Sequence, residues 1–421
     1  MASKKEKPAD SSAKKAGTIS QAKDNGDDFT VDLIKSLNKE FGTRVAYNLS
    51  EAEAPTIVKR WIDTGSIQLN YAIRNAPGGG YPEARVIEIS GVPSSGKSHL
   101  AYHAAANVQA SGGVVVYIDT ENATPVDKLK YMGIDVRKKF VYVDTHCTEE
   151  VFKVIESAIL KSRQMNKDVP IFIIWDSVAA TSPKAELEGD YDKDTMGLQA
   201  RVIGKCMRKI VGVLGTSNST LLCINQLRDA IGVMHGDPHT TPGGKAIPFA
   251  SSVRIRLTSA TQVKDKAGNV IGIHVVATIK KNKVGPPFKK YEFDIIFGVG
   301  IVEHEYMFDE CRSYCADNEI IVDYELKGVP TKVKLEITGT GAWKEFNVIE
   351  VATKTNLLQK KFYKSEFGAV MKDPIYKPFI DKIVEATYTT VFDSTTEAAP
   401  PADTEEEEID YGAEDISEET V

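Results

Sequence analysis

Nowhere does this chain of 421 residues approach the 18 or more consecutive apolar residues that a membrane span needs. Cysteine is scarce as well. The five that occur (Cys147, Cys206, Cys223, Cys311, Cys315) are an odd number in a large chain, which excludes a disulfide scaffold and points to reduced thiols in a cytosolic protein. The opening "MASKKEKPADSSAKKAGTIS" lacks the apolar stretch of a secretory signal, and its acids argue against a transit peptide. Also missing is an excess of positive charge: the balance is −7, which by itself argues against a nucleic-acid partner. Distribution reverses that inference. From Pro401 onward the chain holds ten acids and no Lys or Arg, so the first 400 residues carry +3. This acidic end reads as disordered, either a solubility tail or a tethered anionic competitor for a basic groove.

What is present has a clear order. Residues 1–27 read as a disordered arm. Residues 28–60 read as an N-terminal helix and linker: Val31, Ile34, Leu37 and Phe41 fall at helical spacing, with Asp27 or Asp28 as cap and Gly42 as stop. Its apolar stripe needs a surface, on its own body or on a neighbouring subunit. Residues 61–300 read as the core, and within it, from about 84 to 258, apolar runs ("RVIEIS", "VVVYID", "FVYVD", "IFIIWD", "LLCIN", "SVRIRL") alternate with helical patterns. That is the signature of an α/β protein with a mostly parallel central sheet, which binds ligands beyond the carboxyl ends of its strands. "VIGIHVVATIK" and "YEFDIIFG" read as antiparallel additions. Residues 301–392 read as a small α+β domain and 393–421 as the acidic tail.

The strongest local signal is "RVIEISGVPSSGKSHLAYHAAANVQA". Gly91, four residues, then Gly96-Lys97-Ser98 form a G-x4-G-K-[ST] loop between a strand and a helix. The glycines let backbone N–H groups face phosphate oxygens, and the helix N-terminus adds partial positive charge. Lys97 is placed to reach the β- and γ-phosphates and Ser98 to ligate Mg²⁺. The expected nucleotide contacts are Gly91, Val92, Pro93, Ser94, Ser95, Gly96, Lys97, Ser98 and His99. Asp176, at the end of "IFIIWD", is expected to hold the magnesium through water. Asp119 and Glu121 close "VVVYIDTEN", where a carboxylate can polarise an attacking water, a role worth about 10²–10⁴ in rate.

After "LLCI" come Asn225 and Gln226, and then about twenty residues with five prolines and glycines between Gly236 and Gly244. Loops so long are usually functional or disordered. An amide at a strand end can bond the γ-phosphate and register its loss; the plainer reading is a loop-capping amide. His99 and His103, His235 and His239, and Cys311 and Cys315 share helical spacing, but none has a third and fourth ligand in view.

Together these motifs resemble the bacterial RecA recombinases. "WDSVAATSPKAELEGDYDKDTMGLQAR", "NQLR", "IGVM", "GDP", "PGGKAI", "GVPSSGKS" and "KNKVGPPFKKYEF" carry the likeness, which runs from about Trp61 to Gly300. The resemblance implies an ATP- and magnesium-dependent recombinase that forms a helical filament on single-stranded DNA. Such a protein pairs that strand with homologous duplex DNA, exchanges strands, and hydrolyses ATP held at subunit interfaces. It implies Glu121 as catalytic carboxylate and Gln226 as nucleotide sensor, with Lys281 and Lys283 reaching a neighbour's γ-phosphate. Two DNA loops, 188–201 and about 228–245, would contribute Met196, Gly197, Arg201 and Arg208, and Arg228, Ile231, Gly243, Gly244 and Lys245. Single-strand-binding and loader proteins are further implied partners, and the location implied is the bacterial cytoplasm. The divergent C-terminal region and acidic tail suit a bacteriophage-encoded member. Lys128 stands where the family places an aromatic ring against adenine, Pro125 replaces an acid nearby, and His235 and Ala230 alter the second loop. The rivals are a ring-forming DNA helicase on the same core, which needs a partner domain and arginine finger not found here, and a non-hydrolysing DNA-binding regulator, against which Glu121 argues.

Overall fold

The computed structural model describes residues 25–50, 54–166, 168–190, 197–229 and 239–390. In chain order its main elements are α1 (Asn25–Glu40), α2 (Ile67–Arg74), β1 (Val86–Gly91), α3 (Lys97–Ala110), β2 (Val114–Asp119), α4 (Val126–Tyr131), β3 (Phe140–Asp144), α5 (Thr148–Met165), β4 (Ile171–Asp176), α6 (Leu198–Leu214) and β5 (Ser219–Gln226). There follow β6 (Val253–Lys264), β7 (Val270–Asn282), β8 (Lys290–Ile296), β9 (Gly300–Val302), α7 (His304–Asp317), β10 (Ile320–Leu326), β11 (Val329–Thr338), β12 (Trp343–Glu350), β13 (Asn356–Tyr363) and α8 (Lys377–Tyr388). The described residues fall into two compact units, one within 1–62, 81–90 and 101–252, the other within 63–80, 91–100 and 253–421.

The first unit is built on strands in the order β1-β5-β4-β2-β3, with β5, β4, β2 and β3 parallel. Their near-continuous apolar runs are buried on both faces, except in the edge strand β3. α5 supplies Val151, Ile155 and Ile159 to the core and α6 supplies Ile203, Met207, Ile210 and Leu214, each set at helical spacing. Trp175 of β4 meets Phe152 edge-on at 5.4 Å. Each such side chain contributes about 1.5–3 kcal/mol by leaving water. Register fixes the edge that matters: Asp144 lies beside Asp119, Asp119 beside Asp176, and Asp176 beside Ile224. The carboxyl ends of β2, β3 and β4 therefore finish level, and β5 runs two residues further to Gln226.

The described part of α1 runs from Asn25, so Asp27 and Asp28 lie within the helix rather than capping it. The helix ends at Glu40, and Gly42 leaves it at φ 63°.

In the second unit β6, β7, β8 and β9 pair antiparallel, as do β10, β11, β12 and β13. The β10–β13 sheet buries Phe346 and Phe362 in one apolar cluster with Phe308 of α7, Ile380 of α8, and Phe367 from the segment between β13 and α8. This is the expected α/β class, with a mostly parallel sheet and a smaller α+β portion. Among the described residues no helix is long and apolar enough to cross a membrane.

Candidate nucleotide and DNA site

Within the second unit, the phosphate loop shows why its glycines are there. A Cβ on Gly91 would lie 2.5 Å from Ser95 Oγ and 2.8 Å from the Leu257 carbonyl. Gly96, at φ 91°, would collide with Ile295 of β8. The loop is thus pressed against β6 and β8 and has room only for hydrogen at both positions. Lys97, nearly buried, donates to the carbonyls of Gly91 (3.0 Å) and Val92 (2.8 Å). Ser95 Oγ is buried without a partner among the described residues. An orphaned hydroxyl beside a strained glycine turn and a helix start is a fit for phosphate oxygens. Ser98 and His99 follow in the first turn of α3.

The first unit holds the carboxylates, and it separates two that the sequence leaves side by side. Asp119 accepts from the N–H groups of Glu121 (3.0 Å) and Thr124 (3.1 Å) and from the Tyr142 hydroxyl (3.2 Å). Burial works to raise its pKa, but these bonds and one from the Thr124 side chain outweigh it and hold the carboxyl below its usual range. Asp119 is spent on shaping the turn after β2. Glu121 is exposed, and one of its oxygens, Oε1, accepts both from Ser177 Oγ (2.5 Å) and from Gln226 Nε2 (3.4 Å). Asp176 accepts from the Tyr117 hydroxyl at 2.6 Å. Burial, then the Asp176 charge, push that phenol far above its ordinary pKa, so it remains a donor. The Asp176 carboxylate offers only oxygen donors, which suit a hard cation such as Mg²⁺.

The polar pair that closes β5 points to opposite faces, as consecutive strand residues must. Gln226 reaches Glu121. Asn225, fully buried, donates to Glu88 Oε1 (3.2 Å) and to the carbonyl of Pro242 (3.0 Å). It therefore ties down the far end of the loop. The near end is tied as well, since Arg228–Asp229 pairs antiparallel with His239–Thr240. Gly243 (φ 88°) and Gly244 (φ 70°) lie against the helix that follows the other loop: a Cβ on Gly243 would lie 2.9 Å from Ile203, and one on Gly244 2.8 Å from Ala200. The roots of the 188–201 and 228–245 segments are thereby packed together, and this close approach leaves no room for a side chain at either glycine.

Gly197, at φ 75°, caps α6, and Arg201 and Arg208 are exposed along that helix. Arg228 and Lys245 are exposed also. Met196, Ile231, Ala230 and His235 lie outside the described residues. Lys281 sits opposite Arg254 at the end of β7, and Lys283 is exposed just beyond it. Lys128 is exposed, its ammonium 5.5 Å from the centre of the Tyr102 ring. Ser177, Tyr117 and the Asn225–Glu88 pair were not singled out by spacing. Only the hydroxyl directly after Asp176 and the amide directly before Gln226 hint at them.

A strand–loop–helix phosphate cradle in one unit, and in the other strand ends bearing an exposed glutamate and a glutamine, define a P-loop nucleotide-binding protein of the α/β class. The sequence profile of the RecA N-terminal domain matches residues 30–302. Protein RecA of Chloroherpeton thalassium is 40% identical over 268 residues, 64% of this chain and 71% of that protein. For Protein RecA of Chlorobaculum parvum the figures are 41% over 268 residues, 64% and 74%. For Protein RecA of Staphylococcus aureus (strain JH9) they are 38% over 277 residues, 66% and 76%. The chain belongs to the RecA family. It is a nucleotide-binding recombinase with DNA-dependent ATPase activity.

Proposed function

We propose that this recombinase uses ATP and Mg²⁺, assembles as a helical filament on single-stranded DNA, and pairs that strand with homologous duplex. The observation that carries the reading is the Glu121 carboxylate, exposed yet fixed by Ser177 and by Gln226, which stands at the root of the second loop. Glu121 acts as general base toward the attacking water. Gln226 reports the γ-phosphate to the loop, because any movement of its amide moves the strand end from which the loop leaves. Residues 91–99 hold the phosphates, and Lys97 neutralises their charge. Ser98 and, through water, Asp176 hold the magnesium ion, whose contribution is to offset charge on the phosphoryl oxygens. Lys281 and Lys283 serve a neighbour's γ-phosphate. The DNA backbone is held by Gly197, Arg201, Arg208, Arg228, Gly243, Gly244 and Lys245, with Met196 and Ile231 against the bases.

Assembly is supported by two apolar surfaces in the first unit. α1 exposes Phe29 (68%) and Phe41 (62%). A groove of about 660 Å³ between β3 and α5 is lined by Val141, Val143, Val154, Ala158 and Met165. A neighbour's α1 in that groove would cover both. The cytoplasm is the proposed location, with single-strand-binding and loader proteins as further partners.

The test is ATP hydrolysis with and without unstructured single-stranded DNA, beside Glu121→Gln. Strong stimulation by DNA, lost in the variant, supports the reading. Nucleotide binding without any response to DNA removes it.

A further inference from the structure

We propose that Tyr117 is a positioning residue for Asp176 and thereby sets the protein's affinity for a divalent cation. The inference rests on the reading of Asp176 as the acid that holds magnesium. Tyr117 is fully buried in β2, and its hydroxyl lies 2.6 Å from Asp176 Oδ2 on the neighbouring strand. Parallel pairing sets Tyr117 opposite Ile174, two residues before Asp176, so the phenol reaches along the strand direction to the carboxylate. The ring itself cannot wander. It is stacked on Phe140 at 6.2 Å and 20°, and it meets Tyr102 at 5.8 Å. A donor immobilised in this way fixes the rotation of the carboxylate that accepts from it, as outer partners of metal ligands do. Packing alone does not require the oxygen, because Phe would fill the same space between the two rings. Short O–H···O⁻ bonds are also among the stronger ones available to a protein. The Tyr102 hydroxyl, at 3.4 Å from that of Tyr117, is a weaker neighbour and serves as a control.

The experiment compares wild type, Tyr117→Phe, Tyr102→Phe, Asp176→Asn and the Tyr117→Phe/Asp176→Asn double variant. A fluorescent ATP analogue is titrated at equilibrium against MgCl₂ and, separately, in excess EDTA, with thermal melting as a check on folding. Tyr117→Phe should raise the magnesium concentration at half-saturation about tenfold, the usual loss for an outer-shell partner. Binding in EDTA should be unchanged, and Tyr102→Phe should stay within about twofold. Asp176→Asn should raise the midpoint as well, and adding Tyr117→Phe to it should change nothing more, because the two act through one group. A wild-type midpoint in Tyr117→Phe, with or without a lower melting temperature, overturns the proposal and leaves packing as the residue's role. So does an undiminished increment in the Asp176→Asn background. If Asp176→Asn itself leaves the midpoint unmoved, the magnesium reading of Asp176 fails and this inference falls with it.

Discussion

The carboxyl ends of β2, β4 and β5 and the solvent face of the β10–β13 sheet are both rich in charge, yet they use it in opposite ways. On the sheet face, charges pair with near neighbours. Lys361 bonds Glu345 across adjacent strands at 3.0 Å, and Lys334 lies between Glu319 and Glu336 at 3.1 and 3.0 Å. At the strand ends, side chains 56 and 105 residues away in sequence converge on one oxygen of Glu121. Local pairs of exposed charges are replaced by water at almost no cost when one partner is removed. Convergence from distant positions on an exposed atom serves no such local need, and it marks where chemistry belongs.

The sharpest way to break the comparison is to neutralise one carboxylate from each region. Glu121→Gln should lower DNA-stimulated ATP turnover by about 10²–10⁴-fold, the range of a lost general base. Glu345→Gln should leave turnover at the wild-type value. A coupled spectrophotometric assay on both variants decides it, and equal effects would erase the distinction.

Glu303 shows that convergence without exposure is a structural device. It is buried, and it accepts from Ser66 Oγ (2.5 Å) and from the N–H groups of Ile67 (2.5 Å) and Gln68 (3.4 Å) at the start of α2. Burial pushes its pKa to about 7 despite those donors. Because the folded value lies above the unfolded one, the stability it contributes is complete below about pH 4.5 and is lost as pH rises through about 7. The full span corresponds to about 3 kcal/mol. Urea unfolding from pH 5 to 8 should show this decline in wild type and a flatter profile in Glu303→Gln. Parallel profiles would remove Glu303 as its source.

These cases show what could be read before any coordinates. The phosphate loop was legible because its chemistry is contiguous: eight residues carry the turn, the cation and the hydroxyl. Strand ends were legible from the rhythm of apolar runs, which placed Asp119, Glu121, Asp176 and Gln226 on one edge. The work of Ser177, Tyr117 and Asn225 was not legible, because sheet register decides it between residues 56 to 137 apart. Asp119 and Glu121 looked interchangeable until backbone bonds claimed one of them. The tight contact of Gly243 and Gly244 with α6 was not legible either, because it depends on helix packing that no local pattern reports.

Asn225 offers a smaller and more local test. Asn225→Ala removes the bonds to Glu88 and to the Pro242 carbonyl together, in a fully buried position. Loss of buried polar partners costs about 1–3 kcal/mol each, and relaxation around the shorter side chain should bring the total to about 2–3 kcal/mol. Denaturant unfolding measures that loss. Proteolysis should in addition cut the 229–242 segment faster in the variant, because its far anchor is gone. Unchanged cleavage would mean that the short ladder between Arg228–Asp229 and His239–Thr240 holds the loop base unaided.

The smallest effect expected is on the sheet face. Glu345 is half-buried on that face, and its pKa is held below the usual range by the hydrogen bond from Lys361. That shift records an attraction that solvent largely screens, so it does not translate into stability. Lys361→Ala should leave the melting temperature unchanged within error at physiological salt, even though it removes a 3.0 Å ion pair. Lowering the salt tenfold lengthens the screening distance about threefold and gives the pair its best chance to matter. A clear loss of melting temperature in the variant at low salt would show that these ladders carry load. The contrast between the two regions would then rest on geometry alone, no longer on energy.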